Sequence, residues 1–131
     1  MTLARVLAFS GGAFDEPGWP QRNLHTDLAM AQEAGLDAII ASGTQSEGLL
    51  LGLLVATFGT AWHERGSIEL RFLKPVRVGD TVRPKLQWTS LDAGHDALRF
   101  ATACWCERDN GERVLEGTAT CTLPIERNVR S

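Results

Sequence analysis

Apolar and polar positions divide the chain into a helical first half and a strand-rich second half. Leu3, Val6, Leu7 and Phe9 recur at helical spacing and predict a short amphipathic helix that ends at Gly11-Gly12. The following "GGAFDEPGWPQRN" is rich in glycine and proline and reads as a loop. Asp27 is placed to cap a short helix over "LAMAQEA", with Gly35 as its stop, and "LDAIIA" reads as a linker. A longer helix is predicted over residues 44–58. Thr44 and Glu47 have the spacing of a capping box, and the body "GLLLGLLVATF" is apolar on nearly every side. From Gly66 the period changes to two: Ile68, Leu70 and Phe72 alternate with Ser67, Glu69 and Arg71. "RVGD" is a turn. "TVRPKLQWTSL" is a second strand, with Pro84 favouring a sheet edge or a bulge. "ALRFATACWCER" and "RVLEGTATCTLP" flank Asn110-Gly111, a hairpin signal, and the tail "IERNVRS" is expected to fray.

This order, helices and then an antiparallel meander of four or more strands, predicts an α+β fold with the apolar helix laid on one face of the sheet. One small sheet cannot cover a helix that is apolar all round. The uncovered side predicts a second copy of the chain, with Gly48 and Gly52 allowing close approach of another backbone.

A chain of 131 residues fits a single domain, residues 1–131. With 13 basic against 16 acidic side chains the net charge is −3, which argues against nucleic acid as a partner. The three cysteines, Cys104, Cys106 and Cys121, are too few for a disulfide scaffold. "CWC" on a strand, with no second pair of ligands nearby, reads as buried structural thiols and not as a metal site. The apolar run from Val6 to Phe9 is too short for a signal peptide, and no stretch approaches a membrane span. A cytoplasmic protein is therefore expected, with no membrane partner.

The order "NLHTD…AGL…IIASG…EGLLLGLL…LRFLKPVRVGDTV…VLEGTATCTLP" resembles the hotdog-fold MaoC-like hydratases and dehydratases, over about Leu3 to Pro124. The resemblance implies an antiparallel sheet wrapped round a central helix, a homodimer or larger homo-oligomer, and an acyl thioester of coenzyme A or acyl carrier protein as substrate. No cofactor or metal is called for. Before the helix the family carries Asp-x-Asn-Pro-Ile/Leu-His, and this chain reads "PQRNLH". His25 matches the histidine, but Pro20, or Gln21 with a shift of one, stands where the aspartate belongs. Asp15 could substitute if its loop folds back. At the helix start the family has Ala-His-Gly and this chain "ASG". Ser42 replaces the histidine, Gly43 matches the glycine, and a serine further along the family's helix aligns with Gly48.

Hydrating a 2-enoyl thioester needs a group to take a proton from water and return one to the α-carbon, and donors for charge growing on the thioester oxygen. The resemblance assigns the first task to His25 and the second to the Gly43 N–H at a helix N-terminus. Glu47 has two readings, a partner in the capping box or a base for thioester hydrolysis. Ser42 and Gly43 are expected to bind the substrate, and Thr44, Gln45 and Ser46 are either cap and turn residues or the polar lining of an acyl pocket. Trp19 is a candidate tunnel wall, and Lys74, Arg77 and Arg83 are either ordinary strand-end charges or contacts for coenzyme A phosphates. His63 and His95 read as a helix-end and a turn residue. The enzyme expected is an enoyl-thioester hydratase, or in reverse a 3-hydroxyacyl dehydratase. The alternatives are an acyl-thioester hydrolase and a non-catalytic hotdog subunit that binds acyl thioesters.

Overall fold

The computed structural model of the chain describes residues 1–125. Most of the tail that was expected to fray, residues 126–131, lies outside them. Four helices come first: α1 (Leu3–Ser10), α2 (Leu28–Glu33), α3 (Gly43–Phe58) and α4 (Thr60–Arg65). Four strands follow: β1 (Gly66–Phe72), β2 (Val82–Ala93), β3 (Ala97–Arg108) and β4 (Arg113–Pro124). They form one antiparallel sheet in the order β1-β4-β3-β2. Pro84 lies on the edge strand β2, whose register shifts between Trp88 and Ser90. Proline is tolerated there because an edge strand has one side without ladder bonds.

The alternation in the sequence is realised as two sheet faces. Thr102, Cys104 and Cys106 on β3 pair with Ala119, Gly117 and Leu115 on β4, and this face is buried under α3. All three cysteines are buried free thiols. Burial pushes the Cys106 thiol up to about 11, so it stays protonated and unreactive. Gly117 is needed where the strands cross most closely, because a Cβ built there would lie 1.8 Å from the Glu69 carbonyl oxygen. The β3–β4 hairpin closes through Arg108 N–H to Glu112 O, with Gly111 at φ 83°.

Helix α3 buries Ser46, Leu50, Leu54 and Phe58, one residue per turn, against the sheet. Its opposite side is not covered within the chain: Gly48, Gly52 and Ala56 are exposed, and a Cβ at either glycine would meet nothing within 4 Å. The expected cover on both sides is thus met on one. The capping box is not formed. Helix α3 begins at Gly43, one residue earlier than its spacing suggested, so the N-cap is Ser42, and Thr44 and Glu47 lie inside the helix. The cap predicted for α2 does form, with the Asp27 carboxylate accepting from Met30 N–H at 3.0 Å. The linker 36–41 runs beside the segment after β1 through the Ile40–Arg77 bridge and Ala41 N–H to Val76 O, 2.7 Å. That seam sets the start of α3 beside residues 72–76. No helix among the described residues is long and apolar enough to cross a membrane.

Candidate active site

The loop carrying "NLHTD" is a compact hydrogen-bonded turn. Asn23 Oδ1 accepts from His25 N–H at 2.8 Å, and Asn23 Nδ2 donates to Ser10 O, at the end of α1, at 2.9 Å. Asn23 N–H donates to Thr26 Oγ1 at 2.9 Å, and Thr26 Oγ1 donates to Gln21 O at 2.6 Å. The half-buried His25 ring leaves this turn toward the linker, where Nδ1 lies 2.9 Å from Ile40 O. A carbonyl can only accept, so Nδ1 carries the hydrogen and the neutral ring keeps its lone pair on Nε2.

His25 lines a cavity of about 310 Å³ together with Gly43 and Ser46 of α3, Phe72, and Val114 and Leu115 of β4. Ile40, Ala41 and residues 73–76 complete the wall, which is mostly apolar. The Phe72 side chain, which the alternation groups with Ile68 and Leu70, is 53% exposed and lies across the helix start. Its ring comes within 3.0 Å of where a Cβ on Gly43 would stand. Glycine is what allows backbone, ring and cavity to meet at that point.

No side chain caps the N-terminus of α3. The Ser42 hydroxyl pairs with Thr44 Oγ1 at 2.7 Å instead. The Ser42 carbonyl is taken by Gln45 N–H at 3.0 Å, and Gly43 N–H and Thr44 N–H have no acceptor among the described residues. Free N–H donors at the positive end of a helix dipole favour an oxygen that carries negative charge. Ser46, 4% exposed, places the one hydroxyl side chain of the cavity wall a turn further in. The sequence left Ser46 open between turn and pocket, and aligned the family's serine with Gly48. The structure puts Ser46 in the wall and Gly48 on the outer side of the helix.

The other sequence candidates, Lys74 excepted, lie outside this wall. Asp15 is exposed in its loop, and Glu47, half-buried on α3, does not line the cavity. Trp19 packs on Phe14, ring centroids 5.0 Å apart, and against Gly11. Ser42 and Thr44 shape the helix start without lining the cavity. Lys74 does line it, with its ammonium 2.7 Å from Glu112, which is also bonded by Arg108. Those two cations hold the Glu112 carboxyl below its ordinary range. Arg77 and Arg83 are paired with Asp37 and Asp109. His25 and Lys74 are therefore the titratable side chains of the wall, and no carboxylate lines it among the described residues. The sequence carried no local signal for Phe72, Val114 or Leu115 as wall residues, because chain pairing alone brings β4 under the helix start.

A helix crossing an antiparallel sheet, with a histidine and an uncapped helix N-terminus on one cavity, is the architecture of the hotdog thioester-processing proteins. The MaoC like domain model matches residues 22–103, and the chain belongs to that family. It is 33% identical over 104 residues to an (R)-specific enoyl-CoA hydratase of Rhodospirillum rubrum, covering 76% of this chain and 67% of that protein. It superposes on the (R)-hydratase from A. caviae involved in PHA biosynthesis with TM-score 0.71 and 25% identity, over 95% and 89% of the two chains. A MaoC-like dehydratase from Rhodospirillum rubrum gives TM-score 0.73 at 21% identity, over 97% and 86%.

Proposed function

We propose that the chain is a hydratase that adds water to 2-enoyl thioesters, and in reverse a dehydratase of 3-hydroxyacyl thioesters, carried by coenzyme A or acyl carrier protein. The observation that carries this reading is the convergence of His25 and Gly43, at the uncapped N-terminus of α3, on one cavity. The thioester oxygen lies at Gly43 N–H. His25 Nε2 takes a proton from water as the water oxygen bonds to the β-carbon. The electron pair of the double bond moves to the thioester, where the helix N-terminus stabilises the enolate oxygen. The imidazolium then returns its proton to the α-carbon, and the ring is neutral again. Lys74 as an ammonium has no lone pair and is tied to Glu112, so one imidazole carries both proton steps. The Ser46 hydroxyl, on the same wall, holds the water in this scheme.

A hydrolase would need a base beside the thioester carbonyl, and Glu47, the candidate for that task, is not in the wall. The exposed Gly48-Gly52-Ala56 side of α3 supports the expectation of a second copy of the chain packed there. The function is tested by offering the purified protein enoyl and saturated thioesters of the same length. The reading predicts hydration of the enoyl thioester without release of free thiol from either. Thiol release from the saturated thioester would replace it with the hydrolase.

A further inference from the structure

We infer that Asn23 is a positioning residue that fixes the tautomer and the direction of the His25 ring, an inference that rests on His25 being the acid/base of the proposed reaction. The side chain uses both ends of its amide. Oδ1 holds the His25 backbone N–H at 2.8 Å, and Nδ2 holds Ser10 O at 2.9 Å, thirteen residues away at the end of α1. The Asn23 carbonyl accepts the N–H groups of Thr26 at 3.1 Å and Asp27 at 2.9 Å, which closes the turn leading to Asp27, the N-cap of α2. His25 is thereby suspended between three fixed bodies: α1, α2, and the Ile40 carbonyl that receives its Nδ1–H.

The geometry has a chemical consequence. The Nδ1–H to Ile40 O bond puts the neutral lone pair on Nε2 only while the ring stays within reach of that carbonyl. Ile40 is itself fixed by the bridge to Arg77. Among the described residues, Asn23 Oδ1 is the side-chain atom that holds the His25 backbone on the other side. Without that bond the His25 backbone can shift and carry the ring out of reach of the Ile40 carbonyl, so the tautomer preference weakens and the fraction presenting a basic nitrogen to the water falls.

Neighbouring bonds separate this role from general support of the loop. Thr26 Oγ1 bonds Asn23 N–H and Gln21 O, so it holds the same turn without touching His25. The chain has three histidines, His25, His63 and His95, which makes ring ¹⁵N spectra assignable with a His25→Gln control. In the parent at alkaline pH, His25 is expected to show one protonated and one unprotonated ring nitrogen, with Nδ1 the protonated one. Asn23→Ala should shift both ring nitrogens toward averaged values and lower kcat on an enoyl thioester by about 10²-fold, as small misplacements of a reacting group do, with KM nearly unchanged. Asn23→Asp keeps the acceptor for His25 N–H and should restore the single-tautomer spectrum and part of kcat. Thr26→Val should lower Tm while keeping the tautomer and most of kcat.

The inference is overturned if Asn23→Ala keeps the parent's tautomer, or if Thr26→Val and Asn23→Ala lose kcat and tautomer alike. If Asn23→Ala does not fold, the Asn23→Asp and Thr26→Val spectra decide the question in the same way. The spectra require no turnover. A parent that hydrates nothing but shows the Nδ1–H tautomer, lost on Asn23→Ala, would therefore count against the reaction and leave the clamp standing.

Discussion

At the residue scale, the proposed chemistry rests on two atoms, His25 Nε2 and the Gly43 N–H, and the structure brings these two sequence candidates to one cavity. "NLHTD" and "ASG" are local patterns whose residue types match the needs of the reaction. Replacing Gly43 by valine forces a branched side chain into the 3.0 Å gap under the Phe72 ring and blocks approach to the N–H. Turnover should fall roughly 10²–10³-fold, as on loss of an oxyanion donor, while the circular dichroism spectrum is retained. Glu47→Gln supplies the contrast, because Glu47 is outside the cavity: its hydration rate should stay within about twofold of the parent, and its stability within about 0.5 kcal/mol, as is usual for a change away from buried networks. A large loss in Glu47→Gln would move the active site along α3. Asn23, by contrast, was not legible as a site residue. Its two bonds reach residues 10 and 25, and only the folded loop brings both to one side chain.

At the element scale, helices and strands followed from periodicity because each buries one face. The stripe Ser46, Leu50, Leu54, Phe58 and the alternation Thr102, Cys104, Cys106 are the two periods in physical form. The capping box failed because spacing alone cannot tell Ser42 from Thr44 as the first non-helical residue. Phe72 departs from its strand pattern because β1 ends there and the ring is free to cross to α3. The short helix α2 offers a pH test. Arg22 at 2.8 Å and the Met30 N–H hold the Asp27 carboxyl below its ordinary value. A depressed folded pKa means that the contribution is present above the unfolded carboxylate value and is lost as pH falls through the folded one. Asp27→Ala should therefore lower Tm at neutral pH, and the gap from the parent should shrink as the pH drops below about 3.9, the ordinary aspartate value. A gap that is constant down to strong acid would mean that the charge on Asp27 contributes nothing to the cap.

At the scale of the whole molecule, the sheet covers one side of α3 and leaves the other to solvent, where Gly48, Gly52 and Ala56 would admit a second backbone. Two further apolar side chains, Trp88 at 56% and Leu91 at 55% exposure on the edge strand β2, add to the surface that a partner would cover. Sedimentation at micromolar concentration should give a dimer or a larger closed assembly, and Gly52→Leu, which fills the open side of the helix, should weaken it. A stable monomer would count against the second copy. The expectation of an assembly came from composition, since an apolar helix needs cover on every side. The missing aspartate was legible, since neither Pro20 nor Gln21 can take up a proton, and among the described residues no carboxylate lines the wall. The central claim is that one imidazole, held by Ile40 and facing an uncapped helix, suffices to hydrate an enoyl thioester. Its most direct test follows the loss of conjugated enoyl-thioester absorbance with the parent and with His25→Ala, both checked for fold and assembly. The account predicts steady loss with the parent, a 3-hydroxyacyl thioester as product, and a rate about 10²–10⁴-fold lower for His25→Ala, the range for one acid/base group. An equal rate in both proteins, or no loss with the parent across a panel of chain lengths and carriers, would contradict it.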